Sequence, residues 1–111
     1  MTHTPATDNF RTARDQLVAL RDDYDGAVRE FHWPDVGDTF NWGIDWFDAI
    51  ARGNGLPALV IAEENGSTVR FTFDEMATRS DQVGRWLQSL GVKRGDAVML
   101  MLGNQVELWD S

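Results

Sequence analysis

Cysteine is absent from the 111 residues. That excludes disulfides, thiolate nucleophiles and cysteine metal sites. Positive charge is scarce: Lys and Arg total 10 against 18 Asp and Glu, a net charge of −8. A nucleic-acid binder normally carries the opposite footprint, and an anionic membrane surface would repel such a chain. The single lysine, Lys93, falls on a turn and gives little basis for an activated lysine nucleophile or a phosphate clamp. Only two histidines occur, His3 and His32, far apart. Zinc needs three or four ligands, so a zinc site is not expected. No apolar run approaches the ~18 residues that span a bilayer. The start, Met1 to Asp8, lacks the basic and apolar regions of a signal peptide. A soluble, acidic, cytoplasmic protein is expected. Hydrophobic residues at 42% and charged residues at 25% fit a folded domain.

There is no repeat and no low-complexity tract. The pattern divides into a helical N-terminal arm, residues 1–33, and an α/β segment, residues 34–111. In the arm, Phe10, Ala13, Leu17 and Leu20 recur at helical spacing, with Asp8 as expected N-cap. A second short helix is expected from Tyr24, Ala27, Val28 and Phe31. Pro34 then discourages helix at Trp33, and residues 34–40 read as a loop. Residues 41–52 predict an amphipathic α-helix with Trp42, Trp46, Ala49 and Ile50 on one face, stopped by Gly53 in the left-handed region. Residues 58–62 and 68–72 predict a hairpin whose Asn65-Gly66 suits a type I′ turn. Thr72 and Glu75 form a capping-box pattern. The helix after it carries Met76, Val83, Leu87 and Leu90 as a core stripe, with Ser80 in the gap. Gly91 and Val92 suit a Schellman ending. Lys93 to Asp96 is a turn. Ala97 to Leu102, six apolar residues without alternation, predicts a strand buried on both faces. Asn104 with Glu107 predicts the cap of a last, short helix. The fold class expected is α/β: helical arm, hairpin, helix, buried strand and the start of a helix. A sheet this thin, and a strand wanting cover on both faces, suggest the N-terminal piece of something larger.

Candidate chemistry is sparse. Asp23-x-Asp25-Gly26 faintly resembles a calcium loop, but the register puts Arg21 and His32 at the first and twelfth ligand positions. His32 has no sequence-adjacent base or nucleophile. Gly53-Asn54-Gly55 follows a helix and precedes a strand, the reverse of a dinucleotide fingerprint. Phe31, Trp33, Phe40, Trp42, Trp46 and Phe47 are read as core before ligand pocket. Glu63-Glu64 leads into a hairpin tip, and Asp74-Glu75 suits a helix dipole. No P-loop and no Gly-x-Ser-x-Gly elbow occurs.

From Phe31 onward, a series of short segments in order resembles the AMP-forming acyl-CoA synthetases of the adenylate-forming superfamily. Phe31-His-Trp-Pro34 and Phe40-Asn-Trp-Gly-Ile-Asp-Trp-Phe-Asp48 are similar to the lead-in of the acetyl- and medium-chain enzymes. Phe71-Thr-Phe-Asp-Glu-Met76 resembles the family's hairpin-to-helix junction. Leu90-Gly-Val-Lys-Arg-Gly-Asp-Ala-Val98 resembles its Leu-Gly-Val-x-x-Gly-Asp-x-Val turn and strand. Met101-Leu-Gly-Asn-Gln-Val-Glu-Leu-Trp109 resembles the Leu-Pro-Asn-x-x-Glu segment, with Gly103 in place of the usual proline.

The resemblance implies an ATP-dependent acid–CoA ligase. A carboxylate attacks the α-phosphorus of ATP to give an acyl-adenylate and pyrophosphate, and the thiol of coenzyme A then displaces AMP. Magnesium and cationic groups stabilise the phosphoryl charge. The family's phosphate loop, nucleotide contacts, magnesium-associated glutamate and catalytic lysine have no counterparts in these 111 residues. No catalytic, cofactor-binding or metal residue is therefore assigned. The expectation is an inactive scaffold fragment of an enzyme using ATP, magnesium and coenzyme A, partnered by the remainder of its synthetase. Two other readings stay open: a stand-alone α+β interaction or regulatory module with an acidic surface, and an adenylate-forming enzyme with a different acceptor.

Overall fold

A computed structural model describes residues 4–111. The chain forms two compact units, one ending at Ala49 and the other running Ile50–Ser111.

The first unit begins with α1, Pro5–Ala19. The N-cap is Thr4, whose hydroxyl accepts the Thr7 N–H at 3.3 Å, and not Asp8 as expected. Pro5 explains the earlier start: at the first helical position its missing N–H costs nothing and its φ is already helical. Asp8 lies in the first turn, favoured there by the helix dipole. Helix α2, Tyr24–Glu30, is capped by Asp23, whose carboxylate accepts the Gly26 N–H at 2.8 Å. A Cβ on Gly26 would collide with that carboxylate. Asp23 thus works as a helix cap.

The α-helix expected over residues 41–52 is instead a π-helix, Trp42–Asp48, followed by one α-turn, α3, Ala49–Ala51. Asn41 caps it, its side chain accepting from Gly43 and Ile44. The wider π turn brings residues five apart together, and Trp42 stacks on Phe47 at 5.7 Å. That breaks the predicted face: Trp46 is 6% exposed whereas Trp42 is 57% exposed. Trp46 meets Phe10 at 4.8 Å, Phe10 stacks on Phe40 at 5.4 Å, and the Arg14 guanidinium lies 5.3 Å from the Trp46 ring. The fully buried Thr7 hydroxyl donates to the Asp45 carbonyl at 2.5 Å. Ring stacking and this outside hydrogen bond compensate for the looser backbone of the wide turn.

The second unit sets a helix on a hairpin. Strands β1, Pro57–Ala62, and β2, Thr68–Thr72, pair antiparallel, with an irregularity between Pro57 and Leu59. The connection is not type I′. That turn needs φ > 0 at both central residues, and among the described residues only glycines have it. Glu63 donates to the Ser67 carbonyl and Gly66 to the Glu63 carbonyl, making a three-residue loop with Gly66 at φ +85°. Asn65 settles this geometry by accepting the Ser67 N–H at 2.8 Å.

Helix α4, Phe73–Ser89, touches both strands. The core is Ile61, Met76 and Ala77, with Ala51 also buried. The predicted stripe is only partly covered: Met76 is buried, Val83 and Leu87 are half-buried, and Leu90 is exposed. The C-terminal ending forms as expected. Gly91, at φ +84°, donates to the Gln88 carbonyl, and Val92 donates to that of Leu87. These are the two bonds of a Schellman motif. Lys93 to Asp96 then make a turn closed by an Asp96-to-Lys93 backbone bond, with Gly95 at φ +94°; the positive φ at the third position marks type II.

The buried strand expected over Ala97–Leu102 does not form. These residues pair with neither hairpin edge and lie exposed; Met99 and Met101 exceed 80% exposure. Apolar composition alone does not make a strand; its backbone groups need a partner edge, and otherwise water takes them. Helix α5, Val106–Asp110, follows. Its N-cap is Gln105 without a side-chain bond. Asn104, the expected cap, instead accepts the Trp109 indole N–H at 3.2 Å. The α/β class holds: helices with a two-stranded antiparallel sheet.

Candidate functional site

The most constrained place in the second unit is where β2 enters α4. Thr72 accepts the Glu75 N–H at 3.2 Å, and Glu75 accepts the Thr72 N–H at 2.8 Å, completing the capping box. Phe73 donates to the Leu56 carbonyl and Asp74 to that of Asn54. The Asp74 carboxylate accepts the Gly53 N–H at 2.7 Å. Helix N-termini bind phosphates through free N–H groups. Here the first three N–H groups of α4 are already satisfied by the protein, so this end offers no anion cradle. Gly53-Asn54-Gly55 is accounted for in the same way: it stops α3, with Gly53 at φ +73°, and braces α4.

Two ion pairs that sequence reasoning missed hold α4 in place. The Arg52 guanidinium meets the Asp81 carboxylate with two bonds of 2.8 Å. That hydrogen bonding holds the Asp81 carboxyl below its usual range; slight burial opposes it, and the charges of Arg52 and Arg85 reinforce it. The second pair is Arg79 with Asp110, 2.7 Å from Nε to Oδ2, the Asp110 side chain only 3% exposed. Arg79 also lies over the Phe71 ring at 5.1 Å. The legible signal was position: Arg79 sits three residues after Met76, on the buried edge of α4, and Asp81 and Arg85 are one helical turn apart.

The other sequence candidates do not converge. His32 is exposed, and His3 lies outside the described residues. Glu63 and Glu64 are at the hairpin tip, Lys93 is in the type II turn, and Asp23 is occupied as a cap. The aromatic stretch divides: Phe40 and Trp46 pack with Phe10, while Trp33 and Trp42 are largely exposed. Among the described residues, no three His, Asp or Glu side chains gather as a metal site. A shallow depression of about 310 Å³ runs along α4 past Ser80, Asp81, Gly84, Arg85 and Gln88, open to solvent.

What the second unit does present is apolar surface. Trp86, Leu90, Val98, Met99, Leu100, Met101, Leu102 and Trp109 are all exposed. Five of these, Val98 to Leu102, are consecutive in the chain, and a run of apolar residues left open to water is the kind of surface that interactions cover. Among the described residues no helix is long and apolar enough to cross a membrane.

A protein-family model described as AMP-binding enzyme matches residues 46–109. No curated protein and no solved structure matches the chain.

Proposed function

This chain belongs to the AMP-binding enzyme family, the adenylate-forming enzymes, and we propose that within it the chain is scaffold of an ATP-dependent, AMP-forming acyl-CoA synthetase for short- or medium-chain carboxylic acids. The observation that carries this reading is the overlap of the family match with three segments in order: Phe71–Met76, Leu90–Val98 and Met101–Trp109. The Phe40-Asn41-Trp42 lead-in supports the short- and medium-chain subgroup. The exposed apolar run Ala97–Leu102 supports a scaffold role, since it has the composition of an interior strand and no cover.

ATP, magnesium and coenzyme A are the ligands this reading implies. The residues described here do not fit them. The leading N–H groups of α4 are consumed, carboxylates do not cluster, and Lys93 is placed in a turn. These residues contribute architecture: they set the hairpin, α4 and the following apolar segment against the rest of a large domain. The working enzyme's other portions are its partner, and its location follows theirs.

The test is complementation in trans. An AMP-forming acyl-CoA synthetase lacking its equivalent of residues 46–109 is mixed with this chain, ATP, magnesium, coenzyme A and acetate, butyrate or octanoate. Thioester formation is expected from the mixture, and none from the chain alone. Pyrophosphate exchange catalysed by the chain alone would overturn the scaffold reading. Failure to restore activity, where the synthetase's own excised segment does restore it, would overturn the ligase assignment.

A further inference from the structure

Asparagine precedes glycine twice in the sequence, at Asn54-Gly55 and at Asn65-Gly66. Glycine has no Cβ to screen its own amide nitrogen or to restrict its backbone. In such a pair that nitrogen can reach the side-chain Cγ of the asparagine before it. Both side chains already fold over the following glycine. Oδ1 of Asn54 accepts the Leu56 N–H at 3.0 Å, and Oδ1 of Asn65 accepts the Ser67 N–H at 2.8 Å. What differs is how firmly the rest of each asparagine is held.

Asn54 is half-buried and bonded at every polar group. Its Nδ2 donates to the Ile50 carbonyl at 3.0 Å. Its N–H donates to the Ala51 carbonyl at 3.0 Å, and its carbonyl accepts the Asp74 N–H at 3.1 Å. Rotating its backbone to bring the Gly55 nitrogen onto Cγ pulls that carbonyl away from the start of α4. Asn65 is exposed, and Glu63, Glu64, Gly66 and Ser67 around it are exposed too. Among the described residues its Nδ2 meets no partner. The Gly66 nitrogen is held by one bond, to the Glu63 carbonyl at 2.9 Å, at the hairpin tip. Exposed tips open locally at low cost while the elements they join stay folded.

We propose that Asn65 is a site of spontaneous deamidation, and that the bracing of α4 protects Asn54 from the same reaction. When the Gly66 bond opens, the Gly66 nitrogen loses its proton and attacks Asn65 Cγ, closing a five-membered succinimide. The Cγ–Nδ2 bond breaks, and Nδ2 leaves with that proton as ammonia. Water then opens the ring, and nothing is oxidised or reduced. Opening at Cγ leaves aspartate. Opening at the backbone carbonyl carbon leaves isoaspartate, whose main chain is one carbon longer. Either product sets a third negative charge beside Glu63 and Glu64. Isoaspartate also lengthens the loop that the Glu63-to-Ser67 bond closes.

Incubation of the full 111-residue chain in mildly alkaline buffer, followed by peptide mapping and mass spectrometry, tests this. Asn65 is expected to convert at least tenfold faster than Asn54, giving separable aspartyl and isoaspartyl peptides. In denaturant, where both asparagines precede glycine in an open chain, the two rates are expected to agree within about threefold. An Asn65→Gln chain is expected to lose the fast conversion and keep the slow one. Equal rates in the native chain overturn the proposal. So does survival of Asn65 in the native chain over a time in which the denatured chain loses it, because the Gly66 bond then protects the tip. A rate difference that persists in denaturant overturns it as well, since sequence and not the fold then sets the rates.

Discussion

Replacing Gly91 with valine puts a β-branched side chain on a backbone held at φ +84°. No heavy atom lies within 4 Å of where its Cβ would sit. Collision with neighbours is therefore absent, and the cost is conformational. If valine keeps the left-handed conformation, the strain is about 1–2 kcal/mol. If it escapes to negative φ, the bonds from Gly91 to Gln88 and from Val92 to Leu87, 3.0 and 3.2 Å long, are given up. At about 1 kcal/mol each, that route costs roughly 2 kcal/mol. The chain takes the cheaper route, and the reduced freedom of the unfolded valine variant returns roughly 0.5 kcal/mol. A net loss of about 1 kcal/mol follows, which in a domain of this size lowers the melting temperature by roughly 4–8 °C. Thermal unfolding followed by far-UV circular dichroism reads it directly. Gly91→Asn serves as comparator, because asparagine tolerates the left-handed region, and should lose less than half as much. A valine variant melting with the native chain would refute the reasoning, as would an asparagine variant less stable than the valine one.

Two further predictions rest on α4. Thr72→Ala removes the hydroxyl that accepts the Glu75 N–H, and should cost about 1 kcal/mol, read as a lower urea midpoint with unchanged slope; an unshifted midpoint contradicts the capping box. For Asp81, the folded-state pKa is lowered by Arg52, so the stabilisation is complete above the ordinary carboxylate pKa and fades as pH falls through the lowered value. Both side chains are partly exposed, so the effect stays small. Denaturant titrations of the native chain and Asp81→Asn should differ near neutral pH and converge in acid; a difference independent of pH counts against the assignment.

Local signals were legible where a few adjacent residues decide the geometry. Thr72 with Glu75, Gly53 and Gly91 each sit where the sequence pattern puts them, because caps are settled within about one turn. The errors arise where a competing arrangement uses the same residues. Asn65-Gly66 suits a two-residue turn, but the Asn65 side chain bonded to Ser67 selects the longer loop. Trp42 and Trp46 suit an α face, but Trp42 stacking on Phe47 and Thr7 bonding the Asp45 carbonyl accompany a π-helix. Pro5 moves the cap from Asp8 to Thr4. Ala97–Leu102 reads as a buried strand because composition reports what a segment prefers, whereas pairing depends on an edge that no local pattern specifies. Arg79 and Asp110 are 31 residues apart, and no periodicity joins them.

The bracing of α4 by residues 53–56 has a consequence for how this part of the molecule fluctuates. The Leu56 and Asn54 carbonyls and the Gly53 amide are bonded to Phe73 and Asp74, at the very start of the helix. Neither side can fray by itself without stranding donors and acceptors on the other. The connection and the first helical turn thus open and close as one unit, and a site that looks like a loop in the chain has the rigidity of a splice.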